Sequence, residues 1–116
     1  MLPNRMQLSR STEEHLKKLK SYTGVTPNIT ARIAFFRSIE SEFRYDTKIE
    51  YKTDGSLTLD NITWLGRTKE ITELLLNQNY PSLEGKQLQQ AWAAHVEHGV
   101  ATLRNHKSLA EMMGKV

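Results

Sequence analysis

The segment "RMQLSRSTEEHLKKLK" at residues 5–20 constrains the fold more than any other stretch, because its hydrophobic period changes within it from two to about 3.6. Met6 and Leu8 share one face of an extended segment, and Arg5, Gln7 and Ser9 share the other. Ser11 and Glu14 then fit a capping box, in which hydroxyl and carboxylate satisfy open backbone donors at a helix start. Leu16, Leu19 and Tyr22 form a narrow apolar stripe, Lys17, Lys18 and Lys20 project away from it, and Gly24 is a natural terminator. The pattern predicts a strand over residues 4–10 that runs almost without a loop into a basic helix. An unpaired strand leaves a row of backbone groups without partners. No hairpin partner lies close in sequence, so the simplest expectation is antiparallel pairing with the same strand of a second chain. Met6 and Leu8 would then cover the helices, and Arg5, Gln7 and Ser9 would face outward on a ribbon narrow enough for the DNA major groove.

The rest of the chain reads as mainly helical. Thr26 caps a second helix, and Pro27 suits its first turn, where a missing N–H has no intrahelical partner to lose. Ile29, Ile33, Phe36, Ile39 or Glu40, and Phe43 follow at helical spacing, with Ala34 and Phe35 widening the buried face. After Arg44 the period returns to two. "TKIEY" and "SLTL" flank "KTDG", and Asp54-Gly55 suits a hairpin turn. "NITWLGRTKEITELLLNQN" is helical through Ile71, Leu74 and Leu75, with Gly66 either breaking it or delaying its start to Thr68, and Tyr80-Pro81 as the end. Leu88, Trp92, Val96, Val100 and Leu103 predict a last long helix from Leu83 or Gly85 to His106. The expectation is a mainly α fold with a short N-terminal strand and a small hairpin, in a single domain over residues 1–116. Within it, 4–43 form one unit and 44–116 a hairpin plus a helical C-terminal extension.

Charge narrows the class of partner. Residues 1–52 carry ten Lys/Arg against six Asp/Glu, and residues 53–116 carry six against seven. The excess positive charge thus lies in the half that holds the opening motif, which suits a polyanionic partner whose counterions lysine and arginine displace. Cysteine is absent, which excludes disulfides and thiolate chemistry. No apolar run approaches the roughly 20 residues of a membrane span, and "MLPNRMQLSR" lacks the apolar stretch of a secretory signal. A cytoplasmic protein with no membrane contact is the expectation.

Strand, capped helix, "TGVTPN" turn and second helix resemble the ribbon-helix-helix DNA-binding fold over residues 4–43. Taken over nearly its full length, the chain resembles a narrower group, the DndE family of bacterial DNA phosphorothioation systems. "MQLSRSTEEHLKKLK", "GVTPNITARIAFFRSIE" and "WAAHVEHGVATL" carry that resemblance. It implies a homo-oligomeric accessory subunit, a dimer or dimer of dimers, that contacts the backbone of double-stranded DNA. Such a subunit works beside sulfur-mobilising and ATPase subunits in restriction-modification chemistry, where a non-bridging phosphate oxygen is replaced by sulfur. Carried onto this sequence, the ribbon face is Arg5, Gln7 and Ser9. The start of the second helix, Thr26 to Asn28, offers N–H groups to a phosphate. Arg10, Lys17, Lys18 and Lys20 complete the candidate DNA-binding set, with the lysines the stronger choice.

Catalytic signatures are missing, and the expectation is a non-enzyme with no cofactor. No Gly-x-Ser-x-Gly elbow or glycine-rich phosphate loop occurs. His95 and His98 stand three apart, a spacing that can serve one metal, but Glu97 points elsewhere and no third donor is evident, so structural or surface histidines explain them better. Trp64 and Trp92 are better explained as core or interface residues than as base-stacking platforms. Two readings remain open: a DNA-binding accessory protein, and an assembly adaptor of the modification complex whose basic face docks an acidic protein without touching DNA. In the second, "ITARIAFF" supplies the hydrophobic interface. A metal-dependent enzyme built on His95 and His98 is a minor third.

Overall fold

The computed structural model describes residues 2–49 and 51–103. A two-residue strand, β1 (Arg5–Met6), leads into α1 (Arg10–Thr23), and α2 (Pro27–Glu40) follows after a short turn. An irregular stretch then reaches β2 (Leu59–Asp60) and α3 (Asn61–Leu65). One 3-10 turn at Gly66–Thr68 separates α3 from α4 (Lys69–Asn79), and α5 (Gly85–Leu103) is the longest helix. The part of the predicted last helix that includes His106 lies outside the described residues.

Local chemistry explains the two N-terminal helices. Ser9, not Ser11, is the N-cap of α1: its Oγ accepts the Thr12 backbone N–H at 3.1 Å, so the helix begins two residues earlier than the capping-box reading placed it. At the other end Gly24 takes φ 76° and returns its N–H to the Lys20 carbonyl, as expected of a left-handed C-cap. Pro27 opens α2, with Thr26 at the cap position. Thr26 makes no cap bond to the backbone; its hydroxyl donates to Asn28 Oδ1 instead.

The strand pairing corrects the sequence reading. β1 pairs antiparallel with β2 of the same chain, Arg5 opposite Asp60 and Met6 opposite Leu59. An intermolecular ribbon is therefore not needed to satisfy the first strand, and the ribbon-helix-helix arrangement loses the feature that defines it. The hairpin about Asp54-Gly55 is also absent among the described residues: SLTL ends in the partner of β1 and not in the return strand of a local turn. The N-terminal segment is fastened by side chains as well. Trp64 Nε1 donates to the Met6 carbonyl at 2.9 Å, Gln89 Nε2 to the Gln7 carbonyl at 2.8 Å, and Asn61 Nδ2 to the Pro3 carbonyl at 3.1 Å.

Met6 and Leu8 do point inward, as their spacing predicts, into a core that also takes Leu16, Leu19, Phe35, Leu88, Val96 and Leu103. The two tryptophans meet edge to face in that core, with ring centroids 5.5 Å apart. Helix α2 packs along α5 through Ala31, Ala34, Phe35, Ser38 and Ile39, so its core face is built largely of small residues. The large side chains at Ile29, Ile33 and Phe36 lie on the opposite face, where Ile29 is 38% exposed and the other two are half-buried. Helix α2 thus carries apolar side chains on both its core face and its outer face.

The stretch before β2 is held by one buried carboxylate. Glu13 of α1 accepts from the Leu57 backbone N–H at 2.9 Å and from the Ser56 hydroxyl at 2.8 Å, and pairs with Lys17 at 3.2 Å. Gly55 fits here for closeness, not for φ: a Cβ would run into Glu13 Oε2 and come within 2.8 Å of the Leu8 carbonyl oxygen. Burial works against the charged form of Glu13, but the Leu57 N–H, the Ser56 hydroxyl and Lys17 outweigh it and hold the carboxyl below its ordinary 4.5. A carboxyl lowered on folding stabilises the protein above that value, and the contribution fades as pH falls through the folded pKa. Glu13→Ala should cost about 1–3 kcal/mol at neutral pH, because it leaves the part-buried Leu57 N–H without its acceptor. Denaturant unfolding at pH 7 measures this, and loosening of residues 54–58 in hydrogen exchange is the expected local signature.

Candidate nucleic-acid interface

Helix α1 presents the candidate cations because its buried residues, Thr12, Glu13, Leu16 and Leu19, occupy one side of the wheel. Arg10, Lys17, Lys18 and Lys20 are all exposed. Arg10 and Lys17 stand seven residues, or about 10 Å, apart on one stripe, with Glu14 between them. Lys17 shares its charge with Glu13 Oε1, so Lys18 and Lys20 are the less compensated pair. The predicted set is therefore brought together in part, along a single helix.

Arg10 also reaches a second region. Its backbone N–H donates to Asp54 Oδ1 at 2.9 Å, and its side chain lines an open cavity of about 640 Å³ together with Lys52, Tyr51 and Ile49. Glu14, Asp54 and Glu97 line the same cavity, so its charge is mixed. The Arg10 N–H bond is the main reason Asp54 stays below its ordinary 3.8. Lys52 was missing from the sequence-based set, because only the return of residues 51–58 to the start of α1 puts it there.

The remaining predicted contacts are committed to the fold. Ser9 caps α1 and donates its hydroxyl to Thr12 Oγ1 at 2.8 Å, and Gln7 Nε2 donates to the Gly55 carbonyl at 2.7 Å. Neither stands on an outward ribbon face. Arg5 is exposed, with one guanidinium nitrogen on the Thr58 carbonyl at 2.8 Å. At the start of α2, Asn28 Nδ2 donates to the Thr63 carbonyl at 3.2 Å, and Arg32 adds bonds to the Trp64 and Thr63 carbonyls. This end of α2 thus serves as the cap for the carboxyl end of α3. Gly66 allows that close approach, since a Cβ there would fall 2.8 Å from the Arg32 guanidinium.

The histidines belong to a buried polar network. His95 is fully buried; its Nδ1 meets Ser38 Oγ at 2.8 Å and its Nε2 meets the Tyr80 hydroxyl at 2.6 Å. Ser38 Oγ also meets His98 Nδ1 at 2.9 Å, and the His98 ring stacks on Phe43 at a centroid distance of 4.4 Å. Both nitrogens of His95 are thus engaged by hydroxyls, and no group of three or more metal-ligating side chains occurs among the described residues. Burial, then Arg44, then His98 press His95 down from 6.5 to about 4, so it is neutral at physiological pH. The sequence offered the histidine spacing but not Ser38 and Tyr80, which come from other parts of the chain. No helix among the described residues is long and apolar enough to cross a membrane.

Comparison with known proteins matches residues 5–111 to the model of one family, described as DNA sulphur modification protein DndE. A crystal structure of DndE from Escherichia coli B7A, involved in DNA phosphorothioation modification, superposes with a TM-score of 0.87 at 65% identity, covering 89% of this chain and 98% of that one. A glycine-to-lysine mutant of DndE involved in DNA phosphorothioation gives a TM-score of 0.84 at 63% identity, covering 89% and 99%. No curated protein sequence matches.

Proposed function

Because this chain belongs to the DndE family of DNA sulphur modification proteins, we propose that it is a DNA-binding accessory subunit of a bacterial phosphorothioation system. It grips the phosphate backbone of duplex DNA through α1 and performs no catalysis itself. The observation that carries this reading is the exposed run of Arg10, Lys17, Lys18 and Lys20 on one helix, in a family whose chemistry is done on DNA. Lysines on a rigid helix suit backbone contact, since they recognise phosphate as point charges and carry no base code. Sulfur-mobilising and ATPase subunits in the cytoplasm supply the reaction that such a subunit assists.

Binding should therefore be electrostatic. The logarithm of the association constant for an intact duplex should fall linearly with the logarithm of salt concentration, with a slope of about −0.9 for each phosphate neutralised. Unrelated duplexes should give the same slope. Absence of DNA binding at low salt would favour the adaptor reading, in which the same cations dock an acidic protein.

The working form is a homo-oligomer, a dimer or dimer of dimers. Support for this comes from α2 and not from the first strand, whose partner is internal. Ile29, Ile33 and Phe36 form an apolar row on the outer face of that helix, and covering it removes area worth about 25 cal/mol per Å². Light scattering at micromolar concentration should give a mass at least twice that of one chain. Ile33→Glu together with Phe36→Glu should reduce it to a monomer with the helical content retained.

A further inference from the structure

Residues 54–58 form a platform beside α1, because each of them is tied to the segment 5–13. Asp54 Oδ1 accepts the Arg10 N–H, the Gly55 N–H donates to the Leu8 carbonyl at 2.9 Å, and the Gly55 carbonyl accepts Gln7 Nε2. The Ser56 hydroxyl and the Leu57 N–H both donate to Glu13, and the Thr58 carbonyl accepts the Arg5 guanidinium. The Glu13 carboxylate is therefore fixed at both oxygens, with Ser56 on Oε1 and Leu57 on Oε2, and a Cβ on Gly55 would run into it. Only 5% of its side-chain surface is exposed.

Lys17 differs from Glu13 in everything that matters to a ligand. Its side chain is 60% exposed, yet its ammonium sits 3.2 Å from Glu13 Oε1, one turn back along the helix. A lysine on a flexible stem ordinarily follows a phosphate wherever it docks. Here the carboxylate cannot follow, because the platform holds it. A phosphate can take Lys17 only in competition with a fixed anion. Lys18 and Lys20 are exposed and have no ion-pair partner among the described residues. Charge along α1 divides accordingly: Arg10 and Lys17 balance Glu13 and Glu14 over the first turns, whereas Lys18 and Lys20 add two unbalanced cations toward Gly24.

We infer that Glu13 is a positioning residue of the phosphate-gripping surface: by holding Lys17 to the platform of residues 54–58 it cuts that lysine's share of backbone contact, so that Lys18 and Lys20 carry the grip. The inference rests on the role proposed above for α1. Its size is bounded, because a pair with one largely solvated partner is weak: release of Lys17 should raise duplex affinity by about two- to fivefold.

Glu13→Gln tests this in the full-length protein. Its amide can accept the Leu57 N–H through Oε1 and donate to Ser56 Oγ, so the platform bonds are kept while the charge is removed. With an intact duplex at about 0.1 M salt, Lys17→Ala should weaken binding of the otherwise wild-type protein less than about twofold, against about three- to fivefold for Lys18→Ala or Lys20→Ala. In the Glu13→Gln background Lys17→Ala should cost as much as the other two. The salt slope of Glu13→Gln itself should be steeper than that of wild type by about 0.9. Glu14→Gln removes the same charge one residue away, and in that background the cost of Lys17→Ala should stay as small as in wild type. A second measurement needs neither DNA nor a variant: ¹⁵N relaxation of the free wild-type protein should give the Lys17 ammonium a higher order parameter than Lys18 or Lys20. Equal order parameters for the three lysines, or an equal cost of Lys17→Ala with and without the Glu13 charge, would overturn the positioning role and leave the α1 reading intact. Absence of duplex binding at low salt would overturn the α1 reading and this inference with it.

Discussion

Replacing Gly99 with alanine should destabilise the protein by about 3 kcal/mol, although the same change in an exposed helix is stabilising by roughly 0.5–1 kcal/mol. The sign is set by what the new methyl would meet. Gly99 of α5 lies against the backbone of α2, where an added Cβ would run into the Ala34 carbonyl oxygen and sit 2.7 Å from the Ala34 Cα. Backbone cannot rotate out of the way as a side chain does, so α2 and α5 must separate. Ser38, His95 and His98 bridge the same two helices with bonds of 2.8 and 2.9 Å, which separation would lengthen. Gly24→Ala is the matched control: that glycine has φ 76° and nothing within 4 Å of a Cβ, so only its conformational freedom is lost, about 1 kcal/mol. Thermal unfolding should place Gly99→Ala roughly 10–20 °C below wild type and Gly24→Ala only a few degrees below. Equal shifts would mean that the helix contact is looser than it looks.

Mild acid should have nearly as large an effect, and earlier on the pH scale than carboxylates alone would cause. In the unfolded chain His95 takes up a proton near 6.5, and in the folded chain only near 4. The neutral ring stabilises the fold fully above about pH 6.5, and this contribution is lost progressively as pH falls toward 4. The difference amounts to about 3 kcal/mol. Burial is the main reason the fold resists the proton, and Arg44 and then His98 oppose the added charge. His95 Nε2 also already accepts from Tyr80, so a second N–H there would face a hydroxyl proton. His95→Gln should start less stable at pH 7.5 but show a flatter decline between pH 6.5 and 4.5. Parallel declines in the two proteins would remove His95 as the cause. The loss tied to Glu13 belongs to lower pH, beneath its ordinary 4.5.

These two sites also mark where the sequence stops being legible. Features written in near neighbours were readable: Leu16 and Leu19 as the stripe of α1 (though Tyr22, its expected third member, is 55% exposed), Gly24 as its stop, Pro27 at the start of α2, the break at Gly66, and the repeat from Leu88 to Leu103 that is buried throughout. The partner of β1 was not readable, because two residue pairs with more than fifty residues between them leave no periodic trace. Asp54-Gly55 misled for a different reason: glycine serves there to admit Glu13 and the Leu8 carbonyl, not to supply positive φ. In α2 the large apolar residues suggested the core face, yet the core takes Ala31, Ala34 and Ser38 because α5 approaches closely there. Ala34, Phe35 and Ile39 were expected on the buried face and lie there, but Ala31, Ser38 and the histidine network carry little hydrophobic signal and were invisible. The exposure of Lys18 and Lys20 could be read from spacing alone, whereas the capping role of Ser9 and the bond of Gln7 to the Gly55 carbonyl could not.

Phosphate gripping by α1 is tested most directly by a salt-titrated binding isotherm of a triple variant. Lys17, Lys18 and Lys20 are replaced together by alanine, which favours the helix and leaves Leu16 and Leu19 in the core. Loss of the Lys17–Glu13 pair should cost little, since Lys17 Nζ is solvated and Glu13 keeps its bonds to Leu57 and Ser56. The circular dichroism spectrum should therefore match wild type. Affinity for unrelated duplexes should fall by about 10- to 100-fold at 0.1 M salt, and the slope against salt should become shallower by about two to three contacts' worth. An unchanged affinity and slope in the folded variant would contradict the assignment of α1 as the phosphate-gripping surface.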